Sequence, residues 1–458
     1  MKFGFFVHYV WGGSAYPVTH NSDGSLPAGL DDLANRFDAD GFARDLSSIG
    51  VQYVIFTAWH ANMNCLWPSP AMNRWLTGHA TTNRDLLRDM ITAVKARGIK
   101  VLFYTHPRDG QDLSPGDQAA TGWTPFNYTT WNNFINDVYG DLISRYGNDI
   151  EGLYIDEGGN NGAYVDYTRL RNTIKTANTN LIMLQNFYGN LYTCDLGDIE
   201  VNSFGSTDGN AWPAPAMPSS VVMGSTWWAG VGLGQNTAKY SPENIFRYTV
   251  LKAGISGSAG GATWAAGPYP GGGWETGVLA TMQAAGACLA RVASAITNTY
   301  ASTSYVTPAG TVMTNLSWGV ATRSVDGRLE YVHVLTPPSG RTLVLPPPMD
   351  RKIFSAAQLV ANGQSVALAQ DNSGVTLTLE GTNYWDSLDT AIQLTVSGVR
   401  PCSDSTFLDD FSYGDYRWLP ASGNWFTQAG DFCQTNTSAF GYNAAVTLDQ
   451  CGRRGLRI

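Results

Sequence analysis

Asp156 closes the run Gly152-Leu153-Tyr154-Ile155, and a polar, flexible Glu157-Gly158-Gly159-Asn160 follows it. The short apolar run predicts a buried strand, which puts Asp156 at a strand's C-terminal end. A carboxyl group there can attack carbon, move a proton, bind a metal or pair with a cation. Scission of a glycosidic bond uses two such groups: one protonates the leaving oxygen, the other attacks the anomeric carbon or activates water. Glu157, one residue on, points to the opposite face of a strand and reads as a solvated loop charge. For a second acid the sequence offers Asp198 and Glu200 in Gly197-Asp198-Ile199-Glu200-Val201-Asn202, expected just after the next strand. A capping or surface role competes for both. Glu243 reads as first-turn charge complementing a helix dipole, and Glu275, after Trp274 in a glycine-rich loop, is a further option.

Histidine is sparse, six in 458 residues, and His8, His60 and His106 all fall at expected strand ends. Converging imidazoles either bind zinc or hydrogen-bond sugar hydroxyls. No H-E-x-x-H or similar spacing exists, so the expectation is a polar pocket with no metal and no cofactor. A strand-end histidine satisfied within the core is the competing reading. Trp227, Trp228 and Trp264 are candidate stacking platforms for substrate, against a plain core role.

The elements that must position these groups alternate. Val51 to Phe56, Ile99 to Tyr104, Ile150 to Ile155 and Leu181 to Leu184 read as strands. Between them, Leu86, Leu87, Met90, Ile91 and Val94 recur at helical spacing, with Gly98 closing that helix. A second helix is expected from about Trp131 to Tyr146, and Ser241-Pro242-Glu243 announces another. Strand, helix, strand at about fifty-residue spacing predicts parallel βαβ units. No G-x-G-x-x-G follows the first strand, which argues against a dinucleotide-binding sheet. Polar and aromatic residues gather just after the strands, as they do on the shared catalytic face of a (β/α)8 barrel. The barrel is therefore expected over residues 1–300. From about Ala301 the pattern changes to short strands around Val320, Tyr331, Leu343, Leu377 and Leu394, separated by Asp-Gly, Pro-Pro and Ser-Gly turns. These predict a C-terminal antiparallel β-sandwich over 301–397. Residues 398–458 read as a partial additional β module.

Composition narrows the partners. Charged residues make up 14% of the chain, against roughly 25% in typical soluble domains, while 50 Gly, 15 Trp and 22 Tyr stand in their place. Rings suited to the apolar faces of sugars and neutral polar groups suited to hydroxyls fit an oligosaccharide or polysaccharide partner. They equally fit any extracellular surface. The net charge of −9, with no basic run, argues against nucleic acid and anionic membranes. No apolar stretch approaches the ~20 residues of a membrane span. The opening KFGFFVHYVWGG lacks the order of a signal peptide. Cys402, Cys433 and Cys451 crowd the last sixty residues and predict disulfides, hence a secreted protein. N-x-S/T sequons at Asn127, Asn315 and Asn436 are compatible with that.

Taken in order, several segments resemble glycoside hydrolase family 29, the α-L-fucosidases. Lys2-Phe3-Gly4-Phe5-Phe6-Val7-His8-Tyr9 is similar to that family's "KFGIFIHWG", and Phe37-Asp38-Ala39-Asp40 to "FDAD". The segment from Thr57 through Trp59-His60 to Trp67-Pro68-Ser69 is similar to "TAKHHDGFCLWPS". Asn83-Arg84-Asp85-Leu86 is similar to "RDLV", and Val101-Leu102-Phe103-Tyr104 to "GLYYS". Gly152 to Gly158 takes the place of "LWFDG", whose Asp is the family's nucleophile. The resemblance covers roughly residues 1–397. It implies a retaining exo-glycosidase in which Asp156 forms a covalent glycosyl intermediate, with the two carboxyls about 5 Å apart. It further implies Glu200 as the acid/base nearest the family's position, and His8, Tyr9, His60, Trp67 and Tyr104 as sugar ligands, with Trp228 as platform. The chain departs from the family where a His-His pair becomes His60-Ala61. Two other readings stand beside this one: a glycosidase of the same fold with another sugar specificity, and a non-catalytic carbohydrate-binding protein. A metal-dependent hydrolase is a third.

Overall fold

A computed structural model describes residues 1–12, 18–60, 63–77, 80–108, 110–156, 162–186, 194–201, 219–222, 240–255, 261–308, 311, 313, 316–400, 418–422, 425–428, 431–434 and 444–447. In 198–201, 219–222 and the strands beyond 400 the description is of the backbone. The chain divides into two compact units, one of residues Met1–Lys252 and Ser258–Ala293, the other of Ala253–Gly257 and Ser294–Ile458.

Eight parallel strands make the first unit a closed barrel: β1 (Phe3–Val7), β2 (Tyr53–Thr57), β3 (Lys100–Thr105), β4 (Gly152–Ile155), β5 (Ile182–Asn186), β6 (Leu196–Val201), β7 (Ser219–Val222) and β8 (Ala262–Ala265). Each pairs with the next, and β8 returns to β1 with Phe5 opposite Trp264. Strands covered on both faces explain the unbroken apolar runs FGFFV and YVIFT, buried at every position. The one-in-two alternation of side chains sorts them. Phe6, Tyr53, Ile55, Leu102, Tyr104, Tyr154, Leu184 and Ala265 meet inside the barrel. Their neighbours face the helices: Phe56 packs on Phe42, and Phe103 on Tyr146.

Gly4 has a specific role in that interior. A Cβ built on it falls 2.2 Å from the Tyr53 ring. Without one, the ring crosses the barrel floor and its hydroxyl reaches Thr263 Oγ1 at 2.7 Å. Several helices start on side-chain caps that explain sequence motifs. Asp38 caps the helix Ala39–Ile49 by accepting from Gly41 N, and Asp85 caps Leu86–Lys95 by accepting from Arg88 N. Arg84 donates to the carbonyls of Ala34 and Phe37. Gly98, at φ 73°, turns the chain out of the latter helix as expected. The long helix begins at Tyr128, three residues before the expected Trp131, because Asn127 caps it by accepting from Thr130 N.

The second unit holds two antiparallel sheets. One is ordered β13–β16–β11–β10–β9: Lys352–Leu359, Thr390–Val399, Leu329–Val334, Gly319–Ser324 and Thr299–Ala301. The other is ordered β12–β15–β14: Thr342–Leu345, Val375–Leu379 and Val366–Gln370. Val332, Val334, Phe354 and Ile392 from the first sheet and Leu343, Leu345, Val375 and Leu377 from the second share one core, which makes the pair a sandwich. Val375, Leu377 and Leu379 show the expected alternation. Strands β9, β13 and β14 were not read from the sequence. Beyond residue 400, β17 (Trp418–Ser422) pairs with β20 (Ala444–Thr447), and β18 (Trp425–Gln428) with β19 (Asp431–Gln434). Among the described residues Cys65, Cys194 and Cys288 are free thiols. The disulfides expected of Cys402, Cys433 and Cys451 concern side chains outside the described residues. So do the sequons at Asn315 and Asn436, while Asn127 is exposed. No described helix is long and apolar enough to cross a membrane.

Candidate active site

The site grows from the barrel interior by one step along each strand. Two residues beyond the inward Phe6 stands His8; two beyond Leu102 and Tyr154 stand Tyr104 and Asp156; two beyond Leu184 stands Asn186. All lie toward the C-terminal ends of the strands, where barrel enzymes carry their chemistry.

Asp156 is held on both oxygens. Tyr104 donates its hydroxyl to Oδ2, and Asn186 Nδ2 donates to Oδ1 at 2.7 Å. The backbone N–H of Asp156 continues the β3–β4 ladder to Thr105 O at 3.0 Å. Hydrogen bonds to a carboxylate are about twice as strong as neutral ones and fix its orientation. With both oxygens accepting, this geometry suits an attacking carboxylate rather than a proton donor.

Imidazoles wall the same space. His8 is buried, and its Nδ1 lies 2.9 Å from Thr57 Oγ1. The Thr57 hydroxyl hydrogen goes to Val7 O at 2.9 Å. A hydroxyl has one hydrogen, so Thr57 accepts from His8 Nδ1–H, and Nε2 carries the lone pair. Burial pushes the His8 pKa down to about 3, outweighing the nearby Asp156 charge that raises it. The ring is thus neutral, with its lone pair on Nε2. His60 packs at 4.9 Å from His8, stacks on Tyr104 at 5.2 Å and on His106 at 5.3 Å. Burial, then the neighbouring His8 and His106, push its pKa well below the ordinary histidine range. Tyr104 is the hub, with the His8 ring edge-on at 4.5 Å and Tyr154 stacked at 5.7 Å.

Three residues expected in the pocket lie elsewhere. Tyr9, next to His8, takes the opposite face of the chain: fully buried, it packs on Phe37 and Phe56 and donates to Leu33 O at 2.8 Å. Trp67 is buried behind the strands, its indole N–H donating to Asp141 Oδ2 at 3.0 Å, where Ser69 Oγ also donates. Trp264 alternates with inward Thr263 and Ala265, so it faces outward among Tyr240 and Tyr248. Trp228, Trp227 and Glu157 lie outside the described residues. Asp198 and Glu200 belong to β6 itself rather than to a loop after β5, in register with Asn186 and Ser220 respectively. Their side chains lie outside the described residues. Glu243 sits in the first turn of the helix Pro242–Gly254, and the buried Glu275 hydrogen-bonds the Tyr269 hydroxyl, whose pKa is raised by burial first and then by that carboxylate. Asn186 and Thr57 are site residues that were not assigned a role from sequence; counting two from Leu184 and from Ile55 finds them. Among the described residues no group of three His, Cys, Asp or Glu side chains is arranged to hold a metal ion.

Known proteins supply an independent comparison. A family model described as alpha-L-fucosidase matches residues 33–209. The tissue alpha-L-fucosidase of Bos taurus is 27% identical over 123 residues, 26% of this chain and 25% of that one. The matched segments span about a quarter of the length of the curated relatives. Alpha-L-fucosidase isoenzyme 1 from Paenibacillus thiaminolyticus superposes with a TM-score of 0.61 at 19% identity, covering 87% of this chain and 97% of that one. A family 29 alpha-L-fucosidase from Bacteroides thetaiotaomicron, solved as a covalent intermediate trapped with 2-fluoro-fucosyl fluoride, gives 0.63 at 17% identity over 87% and 94%. At these identities the structural likeness is one of fold. In sequence over residues 33–209, and in fold over most of its length, the chain resembles glycoside hydrolase family 29, the α-L-fucosidases.

Proposed function

We propose that this protein is a retaining exo-glycosidase that removes a terminal α-L-fucosyl or stereochemically related residue from an oligosaccharide or polysaccharide, working outside the cell. The observation that carries the reading is Asp156, oriented by Tyr104 and Asn186 beside neutral, buried imidazoles at the C-terminal end of the barrel.

In this mechanism an Asp156 oxygen bonds to the anomeric carbon as the glycosidic C–O bond breaks. The leaving oxygen takes its proton from Glu200. Water then adds to the same carbon, giving a proton to Glu200, and the Asp156 oxygen departs with its electron pair. Two inversions give net retention. His8 Nε2 accepts from a sugar hydroxyl. The low charge and aromatic content of the chain support a sugar partner and an extracellular setting.

The test is turnover of aryl α-L-fucosides and a panel of other aryl glycosides by wild type and Asp156→Asn. The reading expects wild-type hydrolysis and a loss of about three orders of magnitude or more in the variant. Full activity in the variant removes the mechanism. Sugar affinity without turnover of any substrate points to a binding protein instead. The acid/base role has its own check: Glu200→Ala should retain activity on dinitrophenyl glycosides, whose leaving group needs no proton, and lose it on methyl glycosides. Equal loss on both contradicts the role.

A further inference from the structure

We infer that His106 is a further specificity-determining residue of the sugar site, hydrogen-bonding one substrate hydroxyl through its ring. The inference rests on the glycoside reading above and names a contact within that same pocket. His106 follows β3 two residues beyond Tyr104 and is only 1% exposed. Its ring stacks on His60 with centroids 5.3 Å apart and planes at 26°, so it belongs to the cluster of His8, His60 and Tyr104.

The placement is built. Trp59 Nε1 donates to His106 O at 2.9 Å, and Trp131 Nε1 donates to Pro107 O at 3.2 Å. Two buried indoles therefore fix the backbone that carries the ring. Yet among the described residues Nδ1 is buried with no hydrogen-bond partner. Buried polar atoms in native proteins are nearly always paired, and an unpaired one costs free energy. A rigidly held imidazole with an orphaned nitrogen, in contact with a ring of the candidate site, is a ligand group whose partner arrives with the substrate. Neutral hydroxyls, which both donate and accept, satisfy either tautomer. The sequence marked His106 as one of three strand-end histidines, and the structure now gives it a task separate from that of His8.

The experiment is calorimetric titration of wild type, His106→Phe and His106→Gln with methyl α-L-fucopyranoside and its 2-, 3- and 4-deoxy derivatives. In wild type, deleting the contacted hydroxyl weakens binding roughly tenfold or more. In His106→Phe that one deletion costs nothing further while the other two keep their cost, and His106→Gln regains part of the lost discrimination. Unchanged discrimination in His106→Phe, equal weakening toward all four ligands, or no binding by the folded wild type overturns the inference. The readout is binding, so absent turnover with the expected discrimination sinks the hydrolase reading and leaves His106 assigned. Turnover with unchanged discrimination does the reverse.

Discussion

Tyr104 donates its phenolic hydrogen to Asp156 across the seam between β3 and β4, where Thr105 pairs with Ile155. Tyr104 lies on β3 and Asp156 directly follows β4, its N–H still bonded to Thr105 O, so the bond is set by barrel register. The same phenol ring carries the stacked His60 and Tyr154 and the edge of His8. The wall of imidazoles and the candidate nucleophile are thereby fixed to one side chain.

Tyr104→Phe keeps the ring and removes only the donor. A hydrogen bond to a charged group is worth about 1.5–3 kcal/mol, so kcat/KM should fall roughly ten- to hundredfold, with kcat bearing most of the loss. Steady-state kinetics on an aryl glycoside checks this. An effect confined to KM would mean that the hydroxyl binds substrate rather than orienting Asp156.

Acid should destabilise the first unit through His8. Its folded pKa of about 3 lies below the ordinary value of 6.5, so between those limits the unfolded chain binds a proton that the folded chain refuses. Stability from this group is intact above pH 6.5 and is lost progressively as pH falls toward 3. At about 1.4 kcal/mol per unit the loss amounts to several kcal/mol at most, and His60, also shifted down, adds in the same direction. Urea denaturation at pH 7.5, 5.5 and 4.5 should show the decline, with a shallower slope in His8→Phe. Equal slopes in the two proteins contradict the assignment.

Gly4→Ala puts a methyl group into the Tyr53 ring. Overpacking of this kind costs about 1–3 kcal/mol, read as a lowered urea midpoint. Pairing it with Tyr53→Ala, which empties the space, should make the second change at position 4 nearly neutral. Additive losses would show that the crowding is not with Tyr53.

Trp67→Phe separates scaffold from chemistry. The indole bonds Asp141 on the helix Tyr128–Tyr146, so its loss should cost about 1 kcal/mol of stability and leave KM for the sugar unchanged. A raised KM with unchanged stability would return Trp67 to the sugar site.

These contrasts show what the sequence carried. The barrel was legible because runs such as YVIFT and capped helices such as Asp85 to Lys95 are local signals. Asp156, His8, His60 and Tyr104 stood out because polar groups at the ends of apolar strands are conspicuous. Side-chain direction was the harder part. Tyr9 and Trp264 take the outward positions of the two-residue period beside inward residues, and Trp67, in the segment between β2 and the next helix, turns to Asp141. Asn186, the second donor to Asp156, is illegible in the sequence because a lone asparagine has no signature of its own. Strand β6 carries little strand signal because Gly197, Asp198 and Glu200 depress strand propensity, and barrel closure overrides it. The motifs Asp38-Ala39-Asp40 and Arg84-Asp85-Leu86 proved to be helix caps and carbonyl clamps, so part of the family resemblance is a resemblance of scaffold.

Peptide mass spectrometry after incubation with 2-fluoro-fucosyl fluoride reads out whether one particular carboxylate bonds to sugar. A single fluorofucosyl adduct on the peptide holding the residue after Ile155, absent from the Asp156→Asn protein, is the predicted result. An adduct on any other residue, or none while the protein hydrolyses aryl fucosides, would contradict it.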